Sequence, residues 1–180
     1  ICSVKTGGRT VAACTTPVTE GMMIENATPD LEDMRKSIVE MLFVEGNHMC
    51  PTCEKSGNCE LQALGYRYGV LAPRFPYLFP LRSIDASYSK IMIDADRCIQ
   101  CRRCVRGITT KKGQPVFVMT GRSIGSTIIA DKEREASLSD EDARKAMDQC
   151  PVGAILRKGV GFEVPIGKRK YDTTPIGSDI

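Results

Sequence analysis

The chain has 180 residues, of which 42% are hydrophobic, but it contains no tryptophan and only five phenylalanines and five tyrosines. This composition provides a modest core, and small modules of this kind usually need metal sites or other cross-links for stability. The formal net charge of +3 counts the cysteines as neutral thiols, and metal-bound thiolates would bring it close to zero. No run approaches the roughly eighteen apolar residues of a membrane span, so we expect neither a membrane span nor nucleic-acid binding.

Residues 1–27 are predicted to form short strands around a two-glycine turn, with a further strand at Met22–Ile24. Cys2 and Cys14 lie in this segment with eleven residues between them. The strands and glycines around them are typical of the end of a plant-type ferredoxin loop, which binds a two-iron cluster. Such a cluster needs four ligands, so we expect this segment to be the C-terminal part of a ferredoxin domain, with two more ligands before Ile1.

Residues 28–82 are predicted to form a helical domain. Thr28 is a favourable N-cap, Pro29 occupies the first helical position, and apolar residues then recur at helical spacing. A second helix is expected after Asn58, which is placed to cap it. Three prolines then predict an extended linker over residues 72–82.

Between these two helices, Cys50-x2-Cys53-x5-Cys59 provides three thiolates, and His48 precedes the first of them by two residues. A lone histidine is usually a packing or surface residue, but this one is the only histidine of the chain and lies where a three-thiolate site lacks a ligand. We therefore expect these four side chains to hold a four-iron cube. Neutral imidazole in place of a thiolate should raise the potential of the cluster, as it does in Rieske centres.

Residues 83–156 are predicted to form a ferredoxin-like domain with one cluster. A strand at Ile91–Ile93 leads into a cysteine triplet, and a β-rich piece over residues 115–130 follows it. A capping box that begins at Ser139 starts a short helix, which delivers Cys150. The predicted fold class of the whole chain is therefore α+β.

The triplet is the strongest motif of the chain, because Cys98, Cys101 and Cys104 follow one another in two C-x2-C steps. Such steps wrap three thiolates around one four-iron cube, and a Cys-Pro elsewhere supplies the fourth in ferredoxins of the bacterial type. No fourth cysteine follows Cys104 closely, whereas Cys150-Pro151 ends a segment without a triplet of its own. We expect Cys150 to complete this cube.

Two other uses of nine cysteines are less well supported. A disulfide framework is disfavoured because the count is odd and the C-x2-C steps place neighbouring thiols poorly for pairing. A zinc-binding structural module remains an alternative, but zinc sites usually combine two C-x2-C or Cys/His elements to reach four ligands, and a third cysteine at the same step has no place there.

Four arginines surround the triplet, and two roles are open to them. Cations near a cluster favour its reduced, more negative state, but exposed charges are screened by water and such arginines are often surface or subunit contacts. The four residues are Arg97, Arg102, Arg103 and Arg106.

The C-terminal tail, residues 157–180, is rich in glycine, proline and lysine, and Pro165-Ile166-Gly167 is echoed by Pro175-Ile176-Gly177. The tail is too short and unpatterned to form a core. We expect either a disordered terminus or an arm that packs on a partner subunit.

Taken in order, the motifs resemble the N-terminal iron–sulfur region of the large subunit of respiratory complex I. The chain stops soon after Cys150 with its paired Pro-Ile-Gly tail, and in this it is similar to the small diaphorase subunit of NAD-reducing, bidirectional nickel–iron hydrogenases. The motifs that carry the resemblance are Cys2 with Ala12-Ala13-Cys14-Thr15-Thr16-Pro17-Val18, His48-Met49-Cys50-Pro51-x-Cys53-x5-Cys59-Glu60-Leu61-Gln62, Cys98-Ile99-x-Cys101-x2-Cys104 and Cys150-Pro151-Val152-Gly153-Ala154.

The resemblance implies a subunit of a hydrogen:NAD+ oxidoreductase that itself only transfers electrons. It implies two [4Fe–4S] clusters, one [2Fe–2S] cluster if the upstream ligands are present, and a cytoplasmic complex with a flavin/NADH-binding diaphorase subunit and the small and large nickel–iron hydrogenase subunits. No glycine-rich dinucleotide loop follows a strand, so NAD and flavin are expected on a partner. An equivalent relay of complex I or of NAD-linked formate dehydrogenase is the alternative.

This sequence departs from the complex I pattern in one ligand spacing. The family usually has His-x3-Cys, whereas here His48 and Cys50 are separated by a single residue.

Overall fold

The computed structural model describes residues 2–178 and combines helices with small antiparallel sheets, so the predicted α+β class is confirmed. Ile1 and the last two residues of the predicted tail lie outside the described residues. Among the helices of the described part, none is long and apolar enough to span a membrane.

The helices and strands follow one another along the chain in the order β1-β2-α1-α2-β3-β4-α3-β5-β6-α4-α5-β7-α6. The helices are α1 (Pro29–Glu45), α2 (Glu60–Arg67), α3 (Arg103–Gly107), α4 (Lys132–Ala136), α5 (Asp140–Gln149) and α6 (Lys170–Thr173). The strands are β1 (Ser3–Thr6), β2 (Arg9–Ala12), β3 (Ile84–Asp85), β4 (Ile91–Asp94), β5 (Phe117–Thr120), β6 (Thr127–Ala130) and β7 (Ile155–Arg157).

The N-terminal segment forms an antiparallel hairpin of β1 and β2. The further strand predicted at Met22–Ile24 is wrong, because only Glu25 pairs there, in an isolated bridge with Lys5. Met23 is 81% exposed and Ile24 is 54% exposed, so this short apolar run lacks the packing that would stabilise a strand. The Arg35 guanidinium of α1 donates to the carbonyl of Ser3 and thereby fastens the hairpin to the helix.

Helix α1 begins after Thr28, as predicted, and buries Leu31 and Val39 completely. Its Glu40 carboxylate is fully buried and accepts a hydrogen bond from the Arg74 guanidinium at 2.7 Å. Arg74 lies in the predicted linker, which has neither helix nor strand. The ion pair therefore fixes the linker to α1.

The C-terminal half is built around a three-stranded antiparallel sheet in the order β3-β4-β7. Ile93 of β4 lies opposite Ile155 of β7, and both side chains are buried. One hydrophobic cluster joins these residues to Phe117 of β5 and also to Val39 and Leu61 of the two N-terminal helices. The core thus continues across the predicted domain boundary between residues 82 and 83.

Two local predictions around α2 and α5 have different outcomes. The capping box of Ser139 and Asp142 is present at the start of α5. The predicted cap of α2 is wrong: Cys59 is the N-cap, and its thiol accepts a hydrogen bond from the Gln62 amide. The side chain of Asn58 instead accepts one from the Lys170 amide at 2.8 Å.

The described part of the tail packs against its own chain, which differs from both alternatives considered for it. The Tyr171 amide donates to the Gly57 carbonyl at 2.9 Å, and α6 begins at the residue that binds Asn58. The loop that follows Cys53 thus provides polar partners that order this otherwise exposed segment.

Candidate iron–sulfur centres

The first ligand set lies on the loop between α1 and α2. Cys53 and Cys59 are buried and Cys50 is half-buried. All three line one small cavity together with His48, so the structure brings this predicted set together. The cavity is lined by His48, Met49, Cys50, Cys53, Ser56, Cys59, Gln62, Arg97 and Gly153.

The imidazole of His48 is suited to bind a metal. Its Nε2 atom is buried and has no hydrogen-bond partner among the described residues. Burial lowers the pKa of His48 to about 4, and the positive charges of Arg97 and Arg82 act in the same direction against a backbone hydrogen bond at Leu42. A ring that stays neutral at pH 7, has an unpaired buried nitrogen and lines the same cavity as three thiols has the properties of a ligand.

The thiol of Cys59 lies at the N-terminus of α2, where backbone N–H groups stabilise negative charge. The Gln62 amide is 3.4 Å from its sulfur. Burial nevertheless dominates and raises the pKa of Cys59 to about 11, while amides of Gln62 and Leu61 oppose the shift. A bound metal ion offsets this penalty, because it stabilises the thiolate directly.

The second ligand set begins on a loop in which residues with left-handed backbone conformation alternate with residues of ordinary conformation. Gln100 and Arg102 have φ angles of 54° and 60°, in the left-handed region that non-glycine residues rarely adopt. Each such residue costs on the order of 1–3 kcal/mol and persists where the surrounding structure imposes it. Alternation of this kind turns backbone N–H groups to one side, as in many iron–sulfur sites, and the Gln100 amide donates to the sulfur of Cys98.

The fourth predicted ligand of this set, Cys150, is brought to the triplet by the tertiary structure. Burial raises the pKa of Cys104 to about 12, and the next largest contributions come from Cys150, Cys101 and Cys98, in that order. Cys150 acts more strongly on Cys104 than the two neighbours in the triplet do. Cys104 and Cys150 are buried, whereas Cys98 is half-buried and Cys101 is exposed.

Cys150 occupies the C-cap of α5, and the chain then turns back toward its sulfur. Burial raises the pKa of Cys150, whereas backbone hydrogen bonds from Val152, Ile155 and Ala154 lower it. Amides that point at a ligand sulfur stabilise the thiolate and tune the potential of a bound cluster.

The segments that carry the two ligand sets are in direct contact. The Arg97 guanidinium lies 3.5 Å from the sulfur of Cys53, although Arg97 itself precedes Cys98. The Glu60 amide, next to Cys59, donates to the Pro151 carbonyl, next to Cys150, at 2.8 Å.

Gly153 and Lys55 at this contact were not identified by the sequence analysis. A Cβ atom on Gly153 would lie 2.4 Å from the sulfur of Cys53, so only glycine allows this approach. Lys55 is 3% exposed, and burial lowers its pKa while the charge of Cys150 opposes the shift most strongly. In the sequence, Lys55 lies two positions after Cys53 and Gly153 lies three positions after Cys150. This proximity to a predicted ligand does not reveal that either residue contacts the segment of the other ligand set.

Cys2 and Cys14 are both exposed and lie at the open end of the β1–β2 hairpin. The Ala13 amide donates to the Cys2 carbonyl at 2.8 Å, which keeps the two ends together. No further cysteine of the described residues belongs to this segment, so residues 2–178 offer two of the four donors of the predicted two-iron site.

The donors of the two ligand sets are seven thiols and one imidazole, and thiolates are the ordinary ligands of iron–sulfur clusters. Within residues 2–178, no group of three histidine, cysteine, aspartate or glutamate side chains lies close enough together to hold a single metal ion.

Family models match two parts of the chain. Residues 35–74, which contain the first ligand set, match the NADH-ubiquinone oxidoreductase-G iron–sulfur binding region. Residues 89–156, which contain the second, match the ferredoxin-like domain of NADH-quinone oxidoreductase subunit 3. The first description thus names an iron–sulfur binding region, and the second names a ferredoxin-like domain.

Whole-chain comparisons lead to a narrower group. The gamma subunit of the NAD-reducing hydrogenase HoxS of Cupriavidus necator is 48% identical over 96% of this chain and 74% of its own length. The mitochondrial 78 kDa subunit of the NADH-ubiquinone oxidoreductase of Neurospora crassa is 33% identical over 84% of this chain but only 20% of its own length. A chain of an NAD+-reducing [NiFe]-hydrogenase crystal structure in the H2-reduced state matches with a TM-score of 0.84 and 42% identity, covering 97% of this chain and 75% of that one.

The relative from Cupriavidus necator combines high identity with coverage of most of both chains, and the hydrogenase crystal structure shows the same fold over nearly the whole of this chain. The chain therefore belongs to the family of the gamma subunit of NAD-reducing hydrogenase, which is related to the 78 kDa subunit of NADH-ubiquinone oxidoreductase.

Proposed function

We propose that the chain is the iron–sulfur electron-transfer subunit of an NAD-reducing hydrogenase and relays electrons between a nickel–iron hydrogenase module and an NADH/flavin diaphorase module. The observation that carries this proposal is the direct contact between the segments of two partly buried ligand sets, through Arg97, Gly153 and the Glu60–Pro151 hydrogen bond. Bound clusters would supply one-electron chemistry. The protein positions their ligands and buries four of the eight, namely Cys53, Cys59, Cys104 and Cys150.

Each ligand set is assigned to one cluster. His48, Cys50, Cys53 and Cys59 would hold one [4Fe–4S] cluster, which the shared cavity and the unpaired His48 nitrogen support. A second set, consisting of Cys98, Cys101, Cys104 and Cys150, would hold the other [4Fe–4S] cluster.

Cys2 and Cys14 would supply two ligands of a [2Fe–2S] cluster, with the remaining two on residues before Ile1. Their position at the end of a β-hairpin supports a ferredoxin-type segment over residues 1–27. The helical segment over residues 28–82, the ferredoxin-like segment over 83–156 and the tail over 157–180 complete the proposed organisation.

NAD and flavin are assigned to a partner diaphorase subunit, and nickel to partner hydrogenase subunits. The names of the matched proteins support a complex of this kind. A reducing compartment such as the cytoplasm suits a chain whose cysteines must remain thiolates. An equivalent relay in complex I is less well supported, since identity to the mitochondrial 78 kDa subunit is 33% and this chain spans 20% of that protein.

The proposal is tested on the complex purified through a tag on this chain. We expect iron, acid-labile sulfide and nickel in the same preparation, and EPR signals of this chain's clusters on reduction with either hydrogen or NADH. The separated chain should be reduced by dithionite but should not reduce dyes with NADH. NADH oxidation by the separated chain, or a preparation without iron and sulfide, would contradict the relay.

A further inference from the structure

Two cations, the buried Lys55 and the half-buried Arg97, connect the segments that carry the two ligand sets. Each lies close to one set in the sequence but contacts the segment of the other set. Lys55 lies between Cys53 and Cys59 in the chain, but its ammonium donates to the carbonyl of Met147 at 2.6 Å. Met147 is on α5, the helix that ends at Cys150. Arg97 shows the converse arrangement.

Arg97 immediately precedes Cys98, the first ligand of the second set, but its guanidinium donates toward the sulfur of Cys53 at 3.5 Å. Its Nε atom is 2.9 Å from a carboxylate oxygen of Asp94. The side chains of Arg97 and Asp94 are 18% and 5% exposed, so this pair is largely shielded from water.

Lys55 has no such carboxylate. None of the ion pairs found within residues 2–178 includes Lys55, although the residue is 3% exposed. Burial of a charged group is costly unless an opposite charge compensates it. The position of Lys55 therefore implies a nearby anion other than a paired carboxylate.

The ligand thiolates are candidates for that anion. The Lys55 ammonium binds the carbonyl of Met147, three positions before Cys150, and Lys55 and the sulfur of Cys53 both lie against Gly153. Of the negative groups that act on Lys55, Cys150 has the largest effect, followed by Asp148, Cys59 and Glu60. Cys150 belongs to the second ligand set and Cys59 to the first, so binding of iron to both thiolates would place negative charge near Lys55 from both sets.

We propose that the buried Lys55 and the half-buried Arg97 form a cationic bridge that favours the reduced state of both clusters. The inference rests on the ligand assignment proposed above. Reduction adds one electron, and so one negative charge, to a cluster without forming or breaking a bond. A buried cation stabilises that added charge more than an exposed one can, because water and salt screen the exposed charge.

The same reasoning separates Arg97 from the other arginines of the triplet. Arg102 and Arg106 are exposed, and Arg103, also exposed, is paired with the Glu60 carboxylate. Because Asp94 already neutralises part of the charge of Arg97, we expect Lys55 to have the larger effect. Lys55 and Arg97 are thus positioning residues, which act on the clusters through charge.

The test is potentiometric EPR titration, with dithionite as reductant, of the purified complex carrying Lys55→Met or Lys55→Arg. Lys55→Met should lower both potentials, changing the equilibrium between reduced and oxidised cluster by about tenfold, which is about 59 mV for one electron. Lys55→Arg retains the charge and should keep both potentials near those of the unaltered complex. Arg97→Gln should cause a smaller change, chiefly at the cluster next to Cys53.

Arg106→Gln is the matched control, since Arg106 is two residues from Cys104 but exposed, and its potentials should not change. Unchanged potentials in Lys55→Met at full iron and sulfide content would overturn the proposal. If Lys55→Met assembles without its clusters, Arg97→Gln decides: a lowered potential supports the bridge and an unchanged one overturns it. Absence of the clusters from the unaltered complex would instead refute the ligand assignment itself.

Discussion

The two proposed ligand sets each offer four donors to one cluster, but they are assembled in different ways. The first set spans twelve consecutive positions, from His48 to Cys59, and is positioned by the helices on either side of its loop. The second combines a strained loop with Cys150, which follows Cys104 by 46 positions and depends on the packing of α5. A local set is preorganised by its own segment, whereas a split set exists only when two distant segments are packed together.

The two proposed sets also differ in charge. Three thiolates and a neutral imidazole carry one negative charge fewer than four thiolates. A less negative ligand set stabilises the oxidised cluster less. We therefore expect a cluster at the first set to have a higher potential than one at the second.

The largest effect is expected from Cys150→Ala. The second cluster should be lost because the triplet alone leaves one iron without its thiolate, while the first cluster remains on its local ligands. Iron analysis and EPR spin counting of the purified complex measure this selectivity. Cys14→Ala, outside both cube sets, should leave both cubes in place; two intact cubes in Cys150→Ala would contradict the role of Cys150.

Substitution of His48 should have the next largest effect. His48→Cys adds a negative thiolate and should lower the potential of the first cluster, because the oxidised state gains more stabilisation than the reduced one. His48→Ala should give a labile or three-iron cluster. Potentiometric EPR of both variants is decisive, and a potential and iron content equal to those of the unaltered complex would show that His48 is not a ligand.

Gly153→Ala tests the contact between the two sets. The added Cβ would lie 2.4 Å from the sulfur of Cys53, and the neighbouring Val152 and Ala154 are each 1% exposed, so the backbone has little room to move. Overpacking of this kind usually costs about 1–3 kcal/mol, and we expect a lower melting temperature and faster iron loss from the first set. Gly125→Ala is the control, since no atom lies within 4 Å of its Cβ; equal melting and iron loss in both variants would contradict the contact.

The smallest effect concerns the pH dependence of cluster reconstitution. The pKa values of Cys59 and Cys104 are raised to about 11 and about 12, so these thiols are protonated at neutral pH and must lose protons when iron binds. Reconstitution should therefore become faster as the pH rises from about 6 to about 9. The pKa of His48, about 4, means that imidazole is already neutral throughout this range.

Initial rates of visible absorbance change measure this dependence. No additional step is expected near pH 6.5, the ordinary value for histidine. A step at that pH that disappears in His48→Cys would show that the imidazole is more exposed than the structure indicates.

Local signals predicted much of the fold. Thr28 with Pro29 predicted the start of α1, and Ser139 with Asp142 predicted the cap of α5, because caps depend on a few adjacent residues. The strand predicted at Met22–Ile24 did not form, since an apolar run becomes a strand only where a neighbouring surface packs against it.

Competition between hydrogen-bond partners explains the remaining differences between the predicted and the observed structure. Asn58 has the side chain of a good N-cap, but its side-chain oxygen accepts a hydrogen bond from the Lys170 amide. The thiol of Cys59 caps α2 instead. The tail was ordered by the same contact. Neither outcome can be read from the spacing of residues, because the two partners are more than a hundred positions apart.

The amino-acid sequence by itself indicated which side chains are candidates to bind iron, because C-x2-C steps and a histidine beside three cysteines are properties of adjacent residues. Only the tertiary structure decided that Gly153 touches Cys53, that Lys55 is buried against the helix that precedes Cys150, and that burial lowers the pKa of His48 to about 4. Burial and electrostatic interaction depend on contacts between segments far apart in the chain. The candidate ligands can thus be read from short motifs, whereas the assembly of the split set and the environment that sets the charge and potential of both sets are made by packing.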